Sequence, residues 1–130
     1  MRDSIPESLR ILLVEDCPDV CASLAMLLRM WGHDVVTVGD GATCLSAAEE
    51  YLPHIVLLDV GLPGMDGYEV ARRLSAQPPV RPPRLITMSG HGLDEDFDRS
   101  RRSGCDRHLV KPVDLRDLRR MLAHYAEQCV

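Results

Sequence analysis

Ile55-Val56-Leu57-Leu58-Asp59 is a short, continuously apolar run that ends in an acid. A run of this kind reads as a buried strand, because a strand with one wet face alternates apolar with polar residues. Asp59 falls at its carboxyl end. The following Pro63-Gly64-Met65-Asp66-Gly67 is turn chemistry. Upstream, residues 10–15 (Arg-Ile-Leu-Leu-Val-Glu) are a second such strand, buried on both faces. Pro18 then sits where a helix begins and its missing N–H costs nothing. Val20, Leu24, Leu27, Leu28 and Trp31 recur at helical spacing until Gly32 stops the helix. Val35–Val38 is a short strand, followed by a helix over Ala42–Tyr51 that Pro53 terminates.

Downstream, the spacing predicts a helix over Tyr68–Ala76 and a stiff loop containing Pro78-Pro79 and Pro82-Pro83. A strand over Leu85–Met88 ends at Ser89. A polar helix over 93–102 and a strand over Arg107–Val110 follow. Leu115, Leu118, Leu122 and Tyr125 mark the closing helix. Five strands and five helices in strict alternation predict an α/β fold, a parallel sheet with helices on both faces.

The chain has 130 residues, enough for one domain with a proper core and too few for two. It is 45% apolar and 27% charged, the balance of an ordinary globular protein. A net charge of −5 disfavours nucleic acid or an anionic membrane as the primary partner. No apolar run approaches the roughly 20 residues of a membrane span, and Met1–Leu9 lacks the apolar core of a secretory signal. The odd set Cys17, Cys21, Cys44, Cys105 and Cys129 suits reduced thiols in the cytoplasm. Cys17 and Cys21, four apart on a helix, have no CxxC or histidine cluster beside them and read as packing thiols. Fourteen of the fifteen basic residues are arginine, which singles out Lys111. An ammonium is a compact point charge, whereas a guanidinium is a broad planar fork.

Ligands of open parallel sheets sit outside the carboxyl ends of the strands. There this sequence places Glu15-Asp16, Asp59, Ser89 and Lys111-Pro112. Three converging acids repel one another and raise each other's pKa values unless a cation compensates them. Magnesium, which takes oxygen ligands and also accepts phosphoryl oxygens, fits that need. Lys111 and the Ser89 hydroxyl can each bind a phosphate oxygen, and Asp59 can act as nucleophile to form an aspartyl-phosphate. Each residue alone has a plainer role as a cap, turn residue or surface charge. Their joint placement at four strand ends is what points to chemistry.

These residues resemble the receiver domain of two-component response regulators, from about Arg10 to Glu127. The match rests on Glu15-Asp16, Asp59, Leu62-Pro63-Gly64-Met65-Asp66-Gly67, Ser89 and Lys111-Pro112. The resemblance implies a doubly wound, flavodoxin-like sheet of order 2-1-3-4-5, like that of the chemotaxis regulators. It implies a tail over residues 1–8 and a receiver domain over 9–128. It further implies phosphoryl transfer to Asp59 from a histidine kinase or a histidine phosphotransfer protein, with self-catalysed phosphorylation and dephosphorylation as the only enzymatic chemistry. Magnesium would be bound by Asp16, Asp59 and the Gly61 carbonyl, with Glu15 acting mainly through water. The run from Asp59 to Ala71 also resembles receivers fused to hybrid histidine kinases, so a stand-alone protein and an excised domain both remain open. So do a monomer and a weak homodimer, since Arg99, Arg101 and Arg102 could pair across a helix interface or face solvent.

Two rival functions are weaker. A phosphohydrolase wants a second acid beside the nucleophile and a cap, but Val60 and Gly61 follow Asp59 and no insertion is long enough. A binding module with the same fold but no phosphorylation conflicts with the intact acids, Ser89 and Lys111. One departure from the family pattern stands out. The position three before the lysine, usually tyrosine or phenylalanine, is His108. In the family that ring turns inward when the strand-four hydroxyl, here Ser89, moves toward the phosphoryl group. A polar ring that titrates near neutrality predicts a weaker or pH-sensitive switch. His91, two after Ser89, is a candidate for the site rim.

Overall fold

The computed structural model describes residues 8–76, 82–90 and 94–128, with Pro78, Pro79, His91 and Cys129 outside them. The order is β1 (Arg10–Val14), α1 (Pro18–Met30), β2 (Asp34–Val38), α2 (Gly41–Tyr51), β3 (Ile55–Asp59), α3 (Gly67–Ala76), β4 (Arg84–Ser89), α4 (Asp94–Arg102), β5 (Arg107–Val110) and α5 (Leu115–Gln128). All pairings are parallel and the sheet order is β2-β1-β3-β4-β5. The chain therefore winds outward from β1 to β2 and then crosses back to β3. That reversal leaves a crevice at the carboxyl ends of β1 and β3.

Alternate residues of the central strands feed two cores. Ile11, Leu13, Ile55, Leu57, Ile86 and Met88 pack under α1 and α5 against Ala25, Leu28, Leu118 and Leu122. Leu12, Val14, Val56, Leu58 and Leu85 pack under α2 and α3 against Cys44, Ala48, Val70 and Leu74. Each large side chain so buried contributes about 1.5–3 kcal/mol. Helix α4 differs: among its described residues none joins either core, and its one buried side chain is Ser100.

Two residues assigned by spacing to apolar stripes are exposed, Val20 at 45% and Leu115 at 48%. The inward face of α1 is centred on Cys21, Ala25 and Leu28, so Val20 falls to its side. Leu115 opens α5 a turn before Leu118 reaches the core. Helix α2 starts one residue earlier than the spacing suggests, because Asp40 caps it by accepting the Thr43 N–H at 2.8 Å. It ends on Leu52 in the left-handed region (φ 51°), and the Arg10 guanidinium donates to the Leu52 carbonyl at 2.7 Å. Helix α3 likewise begins at Gly67. A Cβ there would lie 2.7 Å from the Asp59 carbonyl oxygen and 2.8 Å from the Val60 Cα. Only glycine lets this helix start directly against the end of β3.

Candidate functional site

Strand β1 delivers Glu15 and Asp16 to the crevice. The Glu15 N–H donates to the Val38 carbonyl at 3.1 Å, which extends the ladder past the strand end. Its side chain is buried and accepts the Cys17 N–H at 3.3 Å, whereas Asp16 is exposed. Asp59, the last residue of β3, is buried and accepts the Gly61 N–H at 3.1 Å. Carboxylate oxygens of Glu15, Asp16 and Asp59 all lie within 4.8 Å of one another. Burial is the main force raising the Glu15 pKa. The Cys17 N–H pulls against it, the Asp59 charge adds to it, and Lys111 partly relieves it.

Lys111 completes the cluster from the end of β5. Its Nζ is 3.2 Å from Asp59 Oδ1 and 3.3 Å from Glu15 Oε1, so one ammonium bridges two buried acids. Burial acts to lower its pKa, but Asp59 and Glu15 outweigh that and the net shift is upward. The Lys111 N–H donates to the Ser89 carbonyl at 2.7 Å, which ties the lysine to the end of β4, and the Lys111–Pro112 peptide is cis.

The carboxyl end of β4 carries a row of polar groups. Thr87 and Ser89, two apart on the strand, share one face, and Thr87 is the register partner of His108. His108 is half-buried, with Nε2 2.9 Å from Ser89 Oγ and Nδ1 2.7 Å from Thr87 Oγ1. Thr87 Oγ1 in turn lies 2.7 Å from Ser100 Oγ on α4. The imidazole stacks on Tyr68 (centroids 6.3 Å apart) and meets the Phe97 ring in a T-shaped contact, centroids 4.9 Å apart.

The predicted residues thus gather at one sheet edge. Glu15, Asp16, Asp59 and Lys111 form one cluster, the Gly61 backbone adjoins it, and Ser89 joins His108 on the next strand. The donor set is all oxygen, and three carboxylates face a single ammonium. That arrangement fits a small hard divalent cation, with negative charge still to be compensated. Arg99 lies 3.6 Å from Asp66 and over the Tyr68 ring at 4.6 Å. None of the four described cysteines is in a disulfide, and Cys44 is fully buried. The spacing argument overlooked Thr87 and Ser100. The parity of β4 placed Thr87 beside Ser89, but nothing in the sequence reported that Ser100 meets them from another element.

A doubly wound parallel sheet with an acidic cluster and a lysine at its switch point defines the flavodoxin-like receiver class. The sequence pattern of the response regulator receiver domain matches residues 11–123, and the chain belongs to that family. It is 38% identical over 109 residues to the DNA-binding response regulator MtrA of Mycolicibacterium smegmatis, covering 84% of this chain and 46% of that protein. It is 40% identical over 109 residues to the transcriptional regulatory protein TcrA of Mycobacterium tuberculosis, covering 84% and 42%. The chain therefore spans less than half the length of these relatives. Among solved structures, it is similar to the receiver domain of sensor histidine kinase PA1611 from Pseudomonas aeruginosa, which has a magnesium ion coordinated in its active site cleft. The TM-score is 0.82 at 31% identity, over 92% of this chain and 98% of that one. Among the described residues, no helix is long and apolar enough to cross a membrane.

Proposed function

We propose that residues 9–128 form a phosphoacceptor domain in which Asp59 takes a phosphoryl group from a phosphohistidine donor, on a histidine kinase or a histidine phosphotransfer protein. The observation that carries this reading is the Lys111 ammonium held between Asp59 and Glu15 at the switch point. The relative with magnesium in its cleft, 31% identical, supports the same metal here. Asp16, Asp59 and the Gly61 carbonyl would hold it, with Glu15 acting through water. When bound, it neutralises charge on the transferring phosphoryl oxygens.

The remaining work falls to the chain. An Asp59 carboxylate oxygen attacks phosphorus, the donor's P–N bond breaks, and its electron pair stays on the imidazole nitrogen. Lys111, already 3.2 Å from Asp59, is placed to follow the new charge onto a phosphoryl oxygen. Ser89, at the end of the adjoining strand β4, supplies a hydroxyl hydrogen to another. The domain then alters its affinity for a protein partner.

The test is intact mass after incubation with magnesium and a small-molecule phosphodonor, beside Asp59→Asn and a magnesium-free control. One added phosphoryl group, absent from both controls, is the expected result. No addition from that donor or from a phosphohistidine protein overturns the reading and leaves a binding module with a receiver fold.

A further inference from the structure

Three guanidinium groups meet at a gap between helices that the acidic cluster does not use. Arg99 and Arg102, one turn apart near the end of α4, and Arg72, from the middle of α3, line a cavity of about 300 Å³ beside the buried Tyr68. Arg101, between the first two in sequence, pairs instead with Asp98 on its own helix and does not line the cavity. Cations in the last turn of a helix answer its carbonyl end, which gives Arg99 and Arg102 a role within α4. Arg72 stands in mid-helix, where there is no such demand, and still lines the same cavity.

Two acids share this cavity, and each has a second partner. Glu69 pairs with Arg72 and also accepts from Arg73 Nε at 2.8 Å. Asp66 lies 3.6 Å from Arg99 and also accepts the Glu69 N–H at 2.9 Å. When Arg72 and Arg99 turn toward a ligand, Glu69 keeps Arg73 and Asp66 keeps its backbone partner, so neither carboxylate is stranded. Arg99 is held at the cavity by the Tyr68 ring, whose centroid is 4.6 Å from the guanidinium carbon. Arg102 Nε lies 3.4 Å from the Asp98 carbonyl, and among the described residues no carboxylate pairs with this arginine. All three arginines are exposed, and exposed ion pairs contribute little, so an outside anion can compete for them.

The set selects its anion by shape and charge. Each guanidinium presents a planar fork of donors. A carboxylate is flat and offers its oxygens in one plane. A phosphate group spreads its acceptor oxygens tetrahedrally and can take forks that arrive from different directions. With Arg73 included, four guanidiniums stand against Asp66 and Glu69, an excess of positive charge that a dianion cancels.

Independently of the chemistry at Asp59, we propose that the cavity between α3 and α4 binds the dianionic phosphate group of a small molecule through Arg72, Arg99 and Arg102. The bound group ties α4 to α3. Among its described residues α4 sends none into either core, so the ligand supplies an attachment that apolar packing does not.

The experiment is NMR on the whole nitrogen-15-labelled chain, in chelator and at about pH 8, where the phosphate is a dianion. Inorganic phosphate and methyl phosphate are titrated separately, beside sodium chloride at matched ionic strength. The expected result is a saturable shift of the Nε–H signals of Arg72, Arg99 and Arg102 with phosphate and not with chloride. Saturation by methyl phosphate makes a phosphate monoester the ligand, and saturation by inorganic phosphate alone makes it the free ion. Arg72→Gln and Arg102→Gln should each weaken binding roughly threefold, and about tenfold together. Arg101→Gln removes the same charge from the same helix outside the cavity, and should change affinity less than about twofold. No saturable shift, equal shifts with chloride, equal weakening by Arg101→Gln and Arg102→Gln, or a response confined to Asp59 and Lys111 each overturns the site. None of these outcomes touches the phosphoacceptor reading, which stands or falls on the mass of the phosphorylated chain.

Discussion

Burial disfavours the protonated form of His33. Its Nδ1 accepts the Leu9 N–H at 3.0 Å, and desolvation, assisted by the nearby Arg119 charge, lowers its pKa. A lowered histidine pKa means that the unfolded chain binds the proton first as pH falls. The stability it contributes is complete above the ordinary value of about 6.5 and is lost as pH drops toward the folded value. His33→Asn, which keeps an acceptor near Nδ1 but cannot titrate, is expected to flatten the fall in denaturation midpoint between about pH 7 and pH 5. An unchanged slope would assign the acid sensitivity to other groups. His33 was not legible as a structural acceptor, because its partner, the Leu9 N–H, becomes a neighbour only once β1 is in place. Asp59 and Lys111 were legible, because position at a strand end and a unique residue type are both written in the chain. Glu15 was legible as an acid but not as the most buried of the three.

At the scale of elements, the join between β3 and α3 fixes the site. Gly67→Ala would push a methyl group against the Asp59 carbonyl and the Val60 Cα, both backbone atoms that cannot swing aside. We expect a loss of roughly 1–3 kcal/mol, the usual cost of overpacking, measured by urea denaturation. Phosphoryl uptake at Asp59 should fall with it. A neutral effect would mean that α3 shifts away without disturbing β3. The alternation of apolar and amphipathic segments announced all ten elements, and the boundaries moved by only a residue or two: α2 starts where Asp40 caps it, and α3 starts at Gly67, after Asp66 accepts the Glu69 N–H. Helix α4 was legible as a polar, weakly amphipathic segment but not as one attached through a hydroxyl. Periodicity reports apolar faces, and this helix docks without one.

At the scale of the whole molecule, both cores lie beneath the helices while the three acids lie at the rim, so the fold sets their charge against its own stability. Magnesium that binds the folded chain and not the unfolded one stabilises it by mass action. At ten times the dissociation constant that is about 1.4 kcal/mol, worth several degrees of melting temperature for a domain of this size. Calorimetry in millimolar magnesium and in chelator should show that upward shift in the native protein. Asp59→Asn and Asp16→Asn should each lose most of it, since each removes a carboxylate from the cluster. Raising sodium chloride to matched ionic strength separates specific binding from screening, because screening softens repulsion among exposed charges but reaches buried pairs much less. Glu15 and Asp59 are buried, so the salt should recover little of the effect. An equal shift with sodium would mean that the acids act only as a diffuse field, and the metal-binding reading of the cluster would fall.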